Sequence, residues 1–138
     1  MGTTDEAVVK RFYEELCNDR KNELADDLVT ASHRVHDPQV NADDGPAGMA
    51  AAISTYQTGV DGHWEIRDIF SAGDKVVARW TGSGRHVGDV NGIPATGREV
   101  SDIEGISVHR MEDGKIAETW QVWDTLGFLQ QLGVIPAK

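Results

Sequence analysis

One cysteine, Cys17, stands in the whole chain, which leaves no partner for an intramolecular disulfide and no thiolate cluster for a metal. That usage fits a reducing, cytoplasmic setting, and beside Leu16 in an apolar stripe the thiol reads as buried rather than nucleophilic. Long apolar runs are missing too. Nothing approaches the roughly 20 residues that a membrane span requires, so no membrane association is expected. The opening MGTTDEAVVK lacks the basic-then-apolar order of a secretory signal, and Glu6 stands where a myristoylation signal has Ser or Thr. Basic residues are scarce, 13 Lys and Arg against 23 Asp and Glu, and form no run longer than Lys10-Arg11 or Arg20-Lys21. A net charge of −10 repels a phosphate backbone, which argues against nucleic acid as a partner. There is no G-x-G-x-x-G opening a helix, no Walker lysine, no nucleophile elbow and no H-E-x-x-H motif, so neither a nucleotide cofactor nor a metal is expected.

What is present suits a single domain, 1–138, large enough for one core and one pocket. Over residues 5–17, Val8, Phe12 and Leu16 recur at four-residue steps, with Val9 and Tyr13 widening the stripe behind the capping candidates Thr4 and Asp5. This predicts an amphipathic helix. A short second helix is predicted over Asn22–Leu28, then an extended piece from Ser32 to His36 that stops at Asp37-Pro38. Gly45-Pro46 opens a third helix through Ala47–Gln57, with Gly59 as its stop. From Trp64 the period falls to two, and strands are predicted over 63–71, 75–86, 99–110 and 115–123. Their connections are too short for crossover helices, so the pairing should be antiparallel and the class α+β. The loops at Asn41–Gly48 and Gly88–Gly97 are the expected rims.

Several strands carry large apolar residues on both faces, among them Ile103, Ile106 and Val108, or Ile116, Trp120, Val122 and Trp123. One face can pack on the helices around a pocket. The other needs a second subunit, which predicts a homodimer through the outer sheet face.

The stretch Gly84–Gly133 strings together GRHVG, GIPATGR, MEDGKIAE, WQVWD and FLQQLG. In these motifs and their spacing the chain resembles the SnoaL-like polyketide cyclases, within the cone-shaped group that includes ketosteroid isomerase and nuclear transport factor 2. The resemblance implies a strongly curved antiparallel sheet wrapped around three N-terminal helices, with a short C-terminal helix. It also implies a hydrophobic small-molecule substrate and cofactor-independent chemistry. In that family the strand before the D-G-K-I hairpin supplies a histidine, and the strand after it an aspartate that acts as general base in an aldol ring closure. Aligned on Asp113–Ile116, those positions fall on Ser107 and Gln121, and a glutamine cannot abstract a proton.

The search for a base therefore moves to Asp37. The piece Val35-His36-Asp37-Pro38 resembles the ketosteroid isomerase segment whose Asp before Pro shuttles the proton; the other reading is a turn cap before Pro38. His109, two residues from Ser107 on the same strand face, and Asp124 complete the candidate catalytic set, although Asp124 also suits a helix N-cap. Ser107, Gln121, Trp123, His86 and His36 are the candidate substrate-binding residues. Glu118 and Trp120 fall on the opposite strand face, toward the expected dimer. His33 and His36 form an H-x-x-H pair, but on an extended segment they point to opposite faces. These residues suit an enzyme that acts by acid/base chemistry on a polycyclic, aromatic polyketide-type molecule as a cyclase or isomerase. A hydroxylase of anthracycline-type substrates and a non-catalytic binding protein on the same cone remain open alternatives.

Overall fold

The computed structural model describes residues 2–40 and 42–136, so Asn41, in one expected rim loop, lies outside the described residues. Helix α1 (Gly2–Arg11) passes directly into a π-helical segment, Phe12–Asn18. The amphipathic helix expected over 5–17 is thus present but begins at Gly2, so Thr4 and Asp5 lie inside its first turns rather than capping it. The wider π turn buries Phe12, Tyr13, Leu16 and Cys17 together. Gln57 holds its end, donating Nε2 to the Leu16 and Cys17 carbonyls at 3.2 and 3.0 Å. The second predicted helix is a 3₁₀ turn, Asn22–Leu24, running into the short α2, Ala25–Leu28.

Strand β1 (Val29–His36) follows, then α3 (Gly45–Val60) with Pro46 in its first turn, as the Gly-Pro signal indicated. Gly59 does not stop α3. The helix ends at Asp61, which takes the left-handed conformation. Gly59 is there for close approach: an added Cβ would sit 2.3 Å from Val90 Cγ2, and its carbonyl accepts from the Val87 and Gly88 amides.

Strands β2 (His63–Ala72), β3 (Lys75–Arg85), β4 (Glu99–Glu112) and β5 (Lys115–Trp123) fall within two residues of their predicted bounds, and α4 (Thr125–Leu132) closes the chain. The β4–β5 tip is a two-residue turn with Asp113 and Gly114 both at positive φ, the Asp-Gly chemistry of a tight hairpin. Strand order is β1-β5-β4-β3-β2. The last four strands form the antiparallel meander expected, but β1 pairs with β5 in parallel. The sheet is therefore mixed, not wholly antiparallel, because α3 and the meander lie between β1 and β5 and return the chain in the same direction. Register shifts between Ile66 and Asp68, Gly82 and Gly84, and Arg110 and Met111 add curvature.

The concave face carries Val76, Ala78 and Trp80 of β3 against the N-terminal helices and Met49 of α3. A second cluster joins Val100 and Ile103 to Phe128 and Leu132 of α4. On the convex face a row crosses all five strands: Phe70, Val77, Val108, Trp120 and His36 are successive cross-strand partners. Phe70 is 55% exposed there and Val122, one row on, 61%. No helix among the described residues is long and apolar enough to cross a membrane.

Candidate functional site

Alternation along β4 and β5 points Gly105, Ser107 and His109 inward, opposite Trp123, Gln121 and Thr119 respectively. Of these, His109, Gln121 and Trp123 line a cavity of about 90 Å³. The remaining wall comes from the helices and β3, with Phe12, Tyr13, Met49, Ile53, Tyr56, Trp80 and Phe128, so the lining is mostly apolar. Trp80 fits because its β4 neighbour is a glycine: a Cβ on Gly105 would stand 2.3 Å from the indole. Tyr56, Trp123 and Phe128 meet edge to face, with centroids 5.4 to 6.3 Å apart. Val40, Ala52 and Tyr56 also line a second, more polar depression of about 530 Å³.

Two hydrogen-bond chains cross the polar side. In the first, the Trp80 indole N–H donates to Ser107 Oγ at 3.0 Å, the Ser107 hydroxyl to Gln121 Oε1 at 3.1 Å, and Gln121 Nε2 to Asp37 Oδ2 at 2.7 Å. A carboxylate can only accept, so the polarity of the whole chain is set from the Asp37 end. The other oxygen, Asp37 Oδ1, accepts the Gln39 amide at 2.7 Å, so Asp37 does cap the turn around Pro38. It meets Gln121 at the same time.

In the second chain Tyr13 Oη lies 2.9 Å from His109 Nε2, His109 Nδ1 2.9 Å from Thr119 Oγ1, and Thr119 Oγ1 3.0 Å from His33 Nε2. Burial pushes His109 down to about 3 and His33 to about 4, so both rings are neutral near pH 7. Burial also raises the Tyr13 phenol well above its ordinary range, an effect the neighbouring Ser107 hydroxyl partly opposes. Cys17 is fully buried and its thiol is likewise raised by burial, in line with a structural role.

Of the residues expected at the site, His109, Gln121 and Trp123 line this cavity, while Ser107 and Asp37 do not line it and join it through their hydrogen bonds to Gln121. His36 does not. It lies on the convex face, stacked on Trp120 at 5.3 Å and 2.6 Å from Glu118, because it is one residue out of step with Val35, which lines the cavity. His33 points inward, so the two histidines do face opposite ways. Glu118 is held below the usual carboxylate range by His36 first and Arg110 second. His86, expected at the rim, is enclosed beneath the 86–97 loop. Its Nδ1 accepts the Thr96 amide at 3.1 Å and meets Thr96 Oγ1 at 3.0 Å, and it does not line the cavity. Asp124 is exposed and accepts the Gly127 amide at 2.9 Å as the N-cap of α4. Tyr13 and Tyr56 were not singled out from the sequence. A tyrosine in an apolar stripe needs a partner for its hydroxyl, and that was the available signal.

An apolar cavity between a curved sheet and its helices, with hydrogen-bonded polar groups along the sheet, defines a cone of the nuclear transport factor 2-like class. Within that class the model of the SnoaL-like polyketide cyclase family matches residues 7–132, and the chain belongs to that family. It is 38% identical over 100 residues to the aklanonic acid methyl ester cyclase DnrD of Streptomyces peucetius. That match spans 71% of this chain and 66% of the relative, just under two thirds of its length. TsrD from Streptomyces laurentii has a TM-score of 0.85 at 34% identity, covering 96% of this chain and 97% of that one. AclR from Streptomyces galilaeus, a candidate hydroxylase, shares the fold with a TM-score of 0.83 at 21% identity over 97% of this chain and 83% of its own.

Proposed function

We propose that the protein is a cyclase-type enzyme that closes a ring in a polyketide-type ester by acid/base chemistry. Asp37 acts as the base, and the sheet donors orient the carbonyl groups. The observation that carries the reading is the 2.7 Å bond from Gln121 to Asp37. The resemblance expects the family's base at position 121, and here a carboxylate from the neighbouring strand comes within one hydrogen bond of that position.

In the proposed step the Asp37 carboxylate takes a proton from a methylene flanked by two carbonyls, leaving an enolate. The enolate carbon bonds to a ketone carbon, the carbonyl π pair moves onto oxygen, and that oxygen takes up a proton. Substrate and product are isomers, so the balance calls for no oxidant or reductant. Trp80, Trp123, Tyr56 and Phe128 supply flat faces for aromatic rings. The inner cavity is smaller than the roughly 300 Å³ at the low end of ligand pockets, so a tetracyclic substrate would shift Val40 and Tyr56 and occupy the outer depression as well.

The second subunit belongs to the same reading. The convex row from Phe70 to Trp120 leaves apolar side chains in water, and a second copy of the chain is the partner proposed to cover them.

Purified protein incubated with aklanonic acid methyl ester, the substrate named for DnrD, tests the reaction by mass spectrometry of the product. The expected product has unchanged mass and is lost in Asp37→Asn. A gain of one oxygen would make the protein a hydroxylase. Ligand binding without turnover would make it a binding protein.

A further inference from the structure

We propose that Tyr13 is the hydrogen-bond donor to the oxygen on which negative charge develops, and that His109, Thr119 and His33 form a relay that orients its hydroxyl. The inference rests on the acid/base reading above but draws on a different set of contacts. His109, the histidine expected to act on substrate, has both ring nitrogens engaged, Nε2 by Tyr13 and Nδ1 by Thr119. It has no free ring nitrogen to offer a ligand and acts through Tyr13, as a positioning residue. Tyr13 lines the cavity, and its hydroxyl has one contact to the relay and capacity for another.

The relay has two self-consistent directions. In one, Tyr13 gives its hydrogen to His109 Nε2, His109 Nδ1–H donates to Thr119, and Thr119 donates to His33 Nε2. In the other, His33 Nε2–H donates to Thr119, Thr119 to His109 Nδ1, and His109 Nε2–H to the Tyr13 oxygen, leaving the Tyr13 hydrogen free for the cavity. Both contain the same number of hydrogens and no net charge. The buried rings stay neutral and the phenol stays protonated, so Tyr13 is kept a donor rather than a base. An oxyanion in the cavity favours the second direction, which places the donor where charge appears. The two chains meet at Ser107, beside the Tyr13 hydroxyl and one residue from Gln121 in the chain to Asp37. Proton acceptor and oxyanion donor then stand at the two ends of one polar seam.

The test is ligand binding in the Asp37→Asn protein, whose neutral amide stands in for the carboxylate after it has taken a proton. 4-Nitrophenolate, followed by absorbance, represents the oxyanion, and neutral 4-nitroanisole its uncharged counterpart. Adding Tyr13→Phe is expected to weaken the phenolate at least about tenfold while changing the anisole less than about threefold, in proportion to one lost oxyanion donor. His109→Leu should behave like Tyr13→Phe. His109→Gln, whose amide N–H can still reach the phenol oxygen, should recover most of the phenolate affinity. Equal phenolate affinity with and without the Tyr13 hydroxyl, or no phenolate binding to folded Asp37→Asn protein, would overturn the proposal. Turnover surviving Asp37→Asn would defeat the acid/base reading and leave the Tyr13 result standing on its own.

Discussion

Gln121 on β5 donates its side-chain amide to the Asp37 carboxylate at the end of β1, across 84 positions of sequence and 2.7 Å of space. If Asp37 is the base, exchanging the two groups is informative. Asp37→Asn should lower kcat by about 10² to 10⁴. Adding Gln121→Asp, which moves the carboxylate to the position where the family resemblance expects it, should restore part of the loss in steady-state assays. Gln121→Asp alone puts two carboxylates in contact, so one should hold its proton at neutral pH and activity should shift to a more alkaline range.

The buried histidines make stability pH-dependent in a defined window. In the unfolded chain His33 and His109 bind protons near their ordinary value of 6.5, whereas in the folded protein burial delays this to about 4 and about 3. The unfolded state therefore takes up protons first. The stability is fully present above pH 6.5 and is lost as pH falls, down to about 4 for His33 and about 3 for His109, by about 2 kcal/mol per histidine at pH 5. Urea titrations at pH 7.5 and pH 5 measure the drop, and His109→Gln should remove about half of it.

Asp124 separates a structural carboxylate from a catalytic one. Its side chain caps α4 through the Gly127 amide, and a Cβ on Gly127 would lie 2.2 Å from Asp124 Oδ2, so cap and glycine are matched. Asp124→Ala should cost about 1 kcal/mol in thermal or chemical unfolding while kcat is retained. A loss of kcat as large as that of Asp37→Asn would return Asp124 to the catalytic set.

The convex sheet face is checked by hydrodynamics. Val108→Lys places charge in the middle of the apolar row that runs from Phe70 to His36, and Val122→Glu places it in the row beside. Sedimentation should show a dimer for the parent protein and a monomer for the double variant, with the circular dichroism of the fold unchanged. A parent protein that sediments as a monomer at high concentration removes the second-subunit reading.

The meander was legible because its signals are local. Alternation of period two from Trp64 onward, the Asp113-Gly114 turn and the Gly45-Pro46 helix start depend on neighbours a few residues away, and their elements fall close to the expected bounds. Alternation also separated Glu118 and Trp120 from Gln121. It could not say on which face His36 lies, because a strand end one residue out of step with its partner reverses every side chain. His86 followed its motif to the right loop, but whether that loop opens to the pocket or encloses the ring depends on Thr96 folding back over it.

Sequence alone determined the helices, the hairpins, the family and a glutamine at position 121, since each is written in residue type and short-range spacing. Only the tertiary structure decided that the Asp37 carboxylate meets Gln121 and that His109 backs Tyr13. Both depend on contacts between residues 84 to 96 positions apart, brought together by the parallel β1–β5 pairing and by a π-helical turn laid against β4. Such long-range contacts arise from how the whole core packs, and no local pattern encodes them.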